Sequence, residues 1–233
     1  MLKTIVRWIP NTITCLNLLS GALACVFAFH SSESFGCLTG MELCWILIGA
    51  AAVFDFCDGA AARLLRAYSD MGKELDSLSD LVSFGLAPAM LLLNVTDTLT
   101  GGSWAMWTAL IIPVMGALRL AKFNIDDSQT TTFRGLPIPA NAIFWIGATA
   151  WLAANGPVAT WLMAVITVAV ALLMVCDLRM FSLKFKNFSL ADNSIRYVQI
   201  LCTIVAVILW GVSGLAAAIL LYLLLSAATS RRR

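Results

Sequence analysis

Eight apolar runs, at roughly 11 to 29, 43 to 66, 74 to 93, 104 to 122, 138 to 154, 157 to 175, 195 to 211 and 213 to 229, divide this chain of 233 residues. Each is bounded by polar residues or by Gly and Pro, and each approaches the roughly 17 to 25 residues with which a helix crosses a bilayer. In hydrocarbon every backbone N–H and C=O has to find its partner inside the protein, which restricts such runs to helices. With 61% hydrophobic and only 12% charged residues, the chain lacks the polar surface of a water-soluble domain. The predicted fold is therefore all-α, a polytopic membrane helix bundle of about eight transmembrane helices in one domain spanning 1–233. Several runs lie near the short limit, and the pair from 138 to 175 is the least secure, so seven spans is the alternative. Residues 1–10 set Lys3 and Arg7 beside Ile5, Trp8 and Ile9 without a long apolar core, which predicts an interfacial helix rather than a cleavable signal. The stretch 195–233 supplies terminal scaffold helices, with a homodimer contact as their other expected role.

Charge placement tests the count independently, because cytoplasmic helix ends collect Lys and Arg. With eight alternating spans, all 15 basic residues, from Lys3 and Arg7 to Arg231, Arg232 and Arg233, fall on one side. The other side receives His30, Glu33, Glu42 and Asp97 in the loops 30 to 42 and 94 to 103, with tight turns at Asn155-Gly156-Pro157 and at Gly211 to Gly214. Both ends of the chain and the basic face are expected at the cytoplasmic surface of the cell inner membrane. There the basic face meets anionic headgroups or a phosphorylated substrate, and nucleic acid is not implied. The seven cysteines show no C-x-x-C pairing and read as small hydrophobes, with a reactive role for Cys57 the lesser alternative.

Against this apolar background stand Asp55 and Asp58 near the end of one run and Asp76 and Asp80 at the start of the next. Ionisable residues at membrane depth are costly and mark function. Helical periodicity puts Asp55, Asp58, Gly59 and Ala62 in one arc, and Asp76 and Asp80 on one face with Gly72 and Ser83. The two helices are joined by a short loop around Ala67 to Met71, so the two carboxylate pairs converge ~10 Å below the surface at ~1.5 Å per residue. Converging anions repel unless cations intervene. All-oxygen ligation without His or Cys suits Mg²⁺ or Mn²⁺, as one ion or two, and a pair of such ions clamps a phosphodiester. Gly59 and Ala62 leave space for a ligand against the backbone, and Arg63 offers a cation to a diphosphate. The structural alternative pairs Asp58 with Arg66 and Asp76 with Lys73 as ordinary helix-end ion pairs.

The pattern Asp55-x-x-Asp58-Gly59-x-x-Ala62-Arg63-x8-Gly72-x3-Asp76-x3-Asp80 resembles the complete signature of the CDP-alcohol phosphotransferases, integral membrane enzymes of phospholipid synthesis. The resemblance implies a core of six transmembrane helices, a binuclear site built from the four Asp, CDP lying along the Gly59 and Ala62 face, and Asp80 as general base. The flanks Pro10-Asn11-x-x-Thr14-x-x-Asn17, the stretch from Asp76 through Phe84-Gly85-Leu86-Ala87-Pro88, Arg119-Leu120-Ala121-Lys122-Phe123-Asn124 and Phe133-Arg134-Gly135-Leu136-Pro137-Ile138-Pro139 resemble the phosphatidylserine synthase branch of that family. What that branch implies is transfer of the phosphatidyl group of CDP-diacylglycerol to the hydroxyl of L-serine, with release of CMP.

Several positions keep two readings. Asn11, Thr14 and Asn17 lie on one helix face and either contact cytidine or diphosphate or bond neighbouring helices. Arg119, Asn124 and Arg134, with Lys122 beside them, meet the acceptor carboxylate or the lipid phosphate, or else Arg119, Lys122 and Arg134 are positive-inside anchors. Gly135-Leu136-Pro137-Ile138-Pro139 shapes the alcohol pocket or starts a helix. The loop from Asp177 to Asp192, with Phe181, Lys184, Phe185, Lys186 and Phe188, reads as amphipathic and laid on the inner leaflet. The same chemistry with glycerol 3-phosphate, inositol or choline as acceptor is one alternative function. A divalent-cation transporter is another, disfavoured because the outer halves Ile46 to Ala52 and Leu86 to Leu93 offer no polar path.

Overall fold

A computed structural model of the chain describes residues 2–125, 133–181 and 189–230. The first helix, α1 (Leu2–Phe29), runs without a break through Pro10, so the expected interfacial helix at 1–10 is continuous with the first span. A two-residue hairpin, β1 (Ser34–Phe35) and β2 (Leu38–Thr39), turns the chain into α2 (Gly40–Leu64). The start of α2 is a capping box: Thr39 Oγ1 accepts from the Glu42 N–H at 3.2 Å, and the Glu42 carboxylate accepts from the Thr39 N–H at 2.8 Å. At its other end Ala67 N–H bonds Ala62 C=O at 3.0 Å and Arg66 N–H bonds Arg63 C=O at 3.3 Å. That Schellman-type closure places Arg66 at φ 50°, where glycine is usual.

Ser69 caps α3 (Asp70–Asp80) by accepting from Gly72 N–H at 3.0 Å. The helix passes through a π-helical turn at Leu81–Leu86 into α4 (Ala87–Thr100), the three forming one rod of 31 residues. A 3₁₀ stretch, Trp104–Leu110, leads into α5 (Ile111–Ile125). After β3 (Phe133–Arg134) come α6 (Ile138–Asn155), α7 (Thr160–Val175) and β4 (Arg179–Met180), which pairs antiparallel with β3. Pro137 and Pro139 sit at the start of α6, so this segment begins a helix, as prolines favour in a first turn. The chain closes with α8 (Leu190–Trp210) and α9 (Gly214–Ser230).

Five stretches are long and apolar enough to cross a membrane: Trp8–Phe29, Gly40–Leu64, Asp70–Thr100, Trp104–Ile125 and Asn193–Thr229. The last folds back at Gly211–Ser213, because Gln199 Nε2 donates to Ala218 C=O at 2.9 Å, a contact a straight helix could not make. The short pair is present as two separate helices, α6 of 18 residues and α7 of 16, neither of them among those five stretches. The chain is an integral membrane helix bundle.

Its longest helix pairing is α1 against α2, with α3 and the π turn lying on α1 and with α5 packed on α7. The core is lined by Ile48, Phe84, Leu91, Leu92, Ile112, Ile138 and Trp145. Large apolar side chains such as Leu19, Val53, Phe56, Ile208 and Leu224 face outward, the pattern of a protein whose solvent on that side is lipid. Inter-helix contacts gather the α2–α3 loop, the end of α5, the β3–β4 ladder and the end of α7 at one end of the bundle. Lys73 Nζ donates to Asn124 C=O at 3.2 Å, and Lys122 Nζ lies 4.0 Å from Asp177 Oδ1. The basic residues of these segments share that end, as the charge pattern predicts.

Candidate metal and substrate site

One carboxylate oxygen from each of Asp55, Asp76 and Asp80 lies within 4.8 Å of the others. Asp55 reaches this point from α2, Asp76 and Asp80 from successive turns of α3. Asp80 is buried, and Asp55 and Asp76 are half-buried. Ligand oxygens on one Mg²⁺ sit about 2.1 Å from it, hence no more than roughly 4.2 Å apart, so small side-chain adjustments would let these three share an ion. The Asp76 Oδ1 atom is buried with no hydrogen-bond partner among the described residues, as expected of an atom kept for a cation. The residues present fit a hard divalent metal.

Asp58 stands apart from that trio. Its carboxylate accepts from Thr14 Oγ1 at 2.6 Å, so the cluster of mutually close oxygens contains three aspartates rather than the four that share the motif. Neither ion pair of the structural alternative forms among the described residues, since Asp58 bonds Thr14 and Lys73 bonds Asn124. Gly59 is half-buried with open space where a Cβ would stand, apart from the Arg63 Nη1 at 3.7 Å. Ala62 is half-buried one turn on, and exposed Arg63 leans back over Gly59. Gly72 does something else: a Cβ there would come within 3.0 Å of both Asn11 Oδ1 and Ser69 Oγ, so it is the point where α1 and α3 approach closely.

The polar face of α1 is turned onto the carboxylates. Asn11, Thr14 and Asn17 are buried. Thr14 bonds Asp58, while Asn17 Nδ2 donates to Asp80 Oδ1 at 3.3 Å. Ser79 Oγ donates to Thr14 C=O at 3.2 Å and Ser83 Oγ to Asn17 C=O at 3.0 Å, which locks α1 to α3 and the π turn. Gly21 completes the contact, because a Cβ at that position would overlap Ser83. The sequence pattern marked Asn17 as a polar residue on the right face, but its pairing with Asp80 depends on how two distant segments meet.

Of the candidate acceptor residues, Arg119 is half-buried, its Nε unpartnered among the described residues, and it interacts electrostatically with Asp80 and with Tyr222. A cavity of about 130 Å³ is lined by Arg119, Lys122, Phe123, Arg134 and the stretch Met174 to Asp177. Asn124 lies outside that lining: its Nδ2 donates to Ser77 Oγ at 3.0 Å and its carbonyl accepts from Lys73, tying α5 to the helix that carries Asp76. Gly135, at φ 73°, forms part of the cavity's frame, because a Cβ there would overlap the Met174 carbonyl. Of the expected inner-leaflet loop, residues 182–188 lie outside the described residues, whereas Asp177 to Phe181 leave α7 through β4.

The family model for CDP-alcohol phosphatidyltransferase matches residues 7–175, which takes in α1 through α7 and every carboxylate of the site. The chain belongs to the CDP-alcohol phosphatidyltransferase family. Among similar proteins of that kind, one from Bacillus subtilis (strain 168) is 44% identical over 137 residues, covering 57% of this chain and 70% of its own length. One from Methanocaldococcus jannaschii is 40% identical over 139 residues, covering 60% and 59%, and one from Mycobacterium leprae is 33% identical over 182 residues, covering 74% and 57%. Each of the three is named CDP-diacylglycerol--serine O-phosphatidyltransferase. For the latter two, the match spans less than two thirds of the relative's length.

Proposed function

We propose that this protein transfers the phosphatidyl group of CDP-diacylglycerol to the hydroxyl of L-serine, giving phosphatidylserine and CMP. The observation that carries the reading is the meeting of Asp55, Asp76 and Asp80 oxygens within 4.8 Å of one another inside a membrane bundle whose neighbouring face, over Gly59, is open. The names of the relatives from Bacillus, Methanocaldococcus and Mycobacterium support serine as the acceptor.

In this reading Asp55, Asp76 and Asp80 hold a divalent ion, Mg²⁺ or Mn²⁺, and Asp58 contributes to a second. Bound there, such ions supply charge neutralisation to the diphosphate oxygens and to the CMP leaving group. The CDP moiety lies over Gly59 and Ala62, with Arg63 against its diphosphate. Asn11 and Thr14 border this face from α1, and Gly72 sets the distance between α1 and α3. A new bond forms between the serine hydroxyl oxygen and the lipid-side phosphorus, the bond from that phosphorus to the CMP oxygen breaks, and the hydroxyl proton passes to Asp80. Asn17 donates to one Asp80 oxygen and so orients the carboxylate. Arg119 and Arg134 meet the acceptor carboxylate or the lipid phosphate, and Asn124 acts at one remove by fixing α5 against α3. The catalytic face and both ends of the sequence lie on the cytoplasmic side of the cell inner membrane, and α8 and α9 provide scaffold or homodimer contacts.

The test is purified protein with CDP-diacylglycerol, Mg²⁺ or Mn²⁺ and a panel of labelled acceptors: serine, glycerol 3-phosphate, inositol and choline. CMP release with phosphatidylserine as the lipid product, abolished by a chelator and restored by added metal, is the expected result. Turnover with another acceptor and none with serine would sink the serine assignment, and chelator-resistant turnover would sink the metal.

A further inference from the structure

The cavity at the basic end carries a charge pattern beyond its arginines. Arg119, Lys122 and Arg134 are three cations around about 130 Å³, and Asp177 is the one carboxylate among the described lining residues. The volume is well below the roughly 300–1,000 Å³ of sites that enclose drug-sized molecules. It suits a ligand, or a ligand's end, of a few heavy atoms. Three cations alone would favour a doubly charged phosphate, as on a phosphorylated alcohol. A carboxylate in the same wall opposes that choice by like-charge repulsion and offers a place for a positive group.

Asp177 is available for such a group. Its contact with Lys122 is long, 4.0 Å, and both side chains are mostly exposed, at 77% and 61%, so that pair is weak and easily exchanged. Position is set by rigid neighbours. Gly135 N–H bonds Leu178 C=O at 2.9 Å and Leu136 N–H bonds Leu173 C=O at 2.8 Å, which clamps the end of α7 to the start of α6 on both sides of Asp177. Cys176 Sγ donates to Leu173 C=O at 3.2 Å and so is satisfied within α7's last turn. Arg119, also in the lining, links the cavity to the carboxylate cluster through its interaction with Asp80.

We infer that Asp177 is a specificity residue that binds the α-ammonium of the acceptor amino acid while Arg119 and Arg134 take its carboxylate. This rests on the serine reading above. An amino acid held at both charged ends has its side-chain hydroxyl as the group free to turn toward Asp80. Asp177 thereby separates a zwitterion from hydroxy acids, which lack the ammonium, and from phosphorylated alcohols, which bring excess negative charge.

The experiment compares wild type, Asp177→Asn and Asp177→Glu with serine, with 3-hydroxypropionate, which is serine without its ammonium, and with glycerol 3-phosphate. Losing a charged hydrogen-bond partner predicts a rise in the serine KM of about 10- to 100-fold in Asp177→Asn, with kcat and the CDP-diacylglycerol KM little changed. The preference for serine over 3-hydroxypropionate narrows by the same factor, and Asp177→Glu recovers part of it. Wild-type turnover with serine alongside an unaltered serine KM and unaltered preference in Asp177→Asn would overturn the inference. Absence of serine turnover in the wild type would instead overturn the reading beneath it. Because Asp177 is exposed, its replacement leaves folding intact, which binding of CDP-diacylglycerol by the variant checks.

Discussion

Asp80 combines three conditions at one residue: it is buried, it belongs to the oxygen trio, and an amide fixed on another helix holds it. Asp80→Asn keeps the shape of the side chain and removes its capacity to accept a proton. Turnover should fall by at least about 10²-fold, the scale of a lost general base, while thermal unfolding in detergent stays near wild type. Asn17 has a different signature. If it acts through its bond to Asp80, Asn17→Ala should lower kcat by about 10- to 100-fold, the cost of a misplaced reacting group, and leave the serine KM in place. A matching rise in KM would make Asn17 a ligand contact instead. Thr14 and Asn17 were visible in the sequence as polar residues three apart in an apolar run. Nothing in that spacing says that one serves Asp58 and the other Asp80.

At the scale of elements, the π-helical turn directly after Asp80 and the close approach of α1 at Gly21 belong together. The π turn carries Ser83 onto the Asn17 carbonyl, and only a residue without a Cβ lets α1 come near enough. Gly21→Val should push the two apart, costing about 1–3 kcal/mol of stability and more in activity than stability alone explains. Gly49→Ala, where a Cβ meets nothing within 4 Å, is the matching control on a neighbouring helix and should leave both intact. Thermal unfolding and serine turnover measured on the pair decide it; equal behaviour of the two variants would remove Gly21 from this role. Helix limits such as 138–155 were legible because polar and Gly/Pro punctuation stops an apolar run. The π turn was not, since Leu81–Leu86 has the composition of any buried helix and lies between α1 and α5, far apart in sequence.

For the whole molecule, the charge pattern and the fold point to the same polarity. The β1–β2 hairpin stands at the end opposite the basic loops, and Cys37 in its turn is exposed. Tyr68, exposed in the α2–α3 loop, marks the basic end. In intact cells a membrane-impermeant maleimide should label a variant that keeps Cys37 as its single cysteine. A cysteine-free variant carrying Tyr68→Cys should be labelled only after permeabilisation. The reverse pattern would invert the proposed orientation and put the catalytic face outside.

Along the chain alone one can read a membrane helix bundle, a one-sided distribution of basic residues, and carboxylates spaced to share a helix face. Each of those follows from local properties: run length, the cost of charge in hydrocarbon, and a helical period that puts Asp76 and Asp80 on one face. Folding adds what no spacing shows: three aspartates meet while Asp58 turns to Thr14, Gly72 lets two helices approach, and Asp177 shares a cavity with Arg119 across 58 residues of chain. Those outcomes depend on distances between helices, which are set by side chains packing across the bundle and leave no periodic trace along the chain.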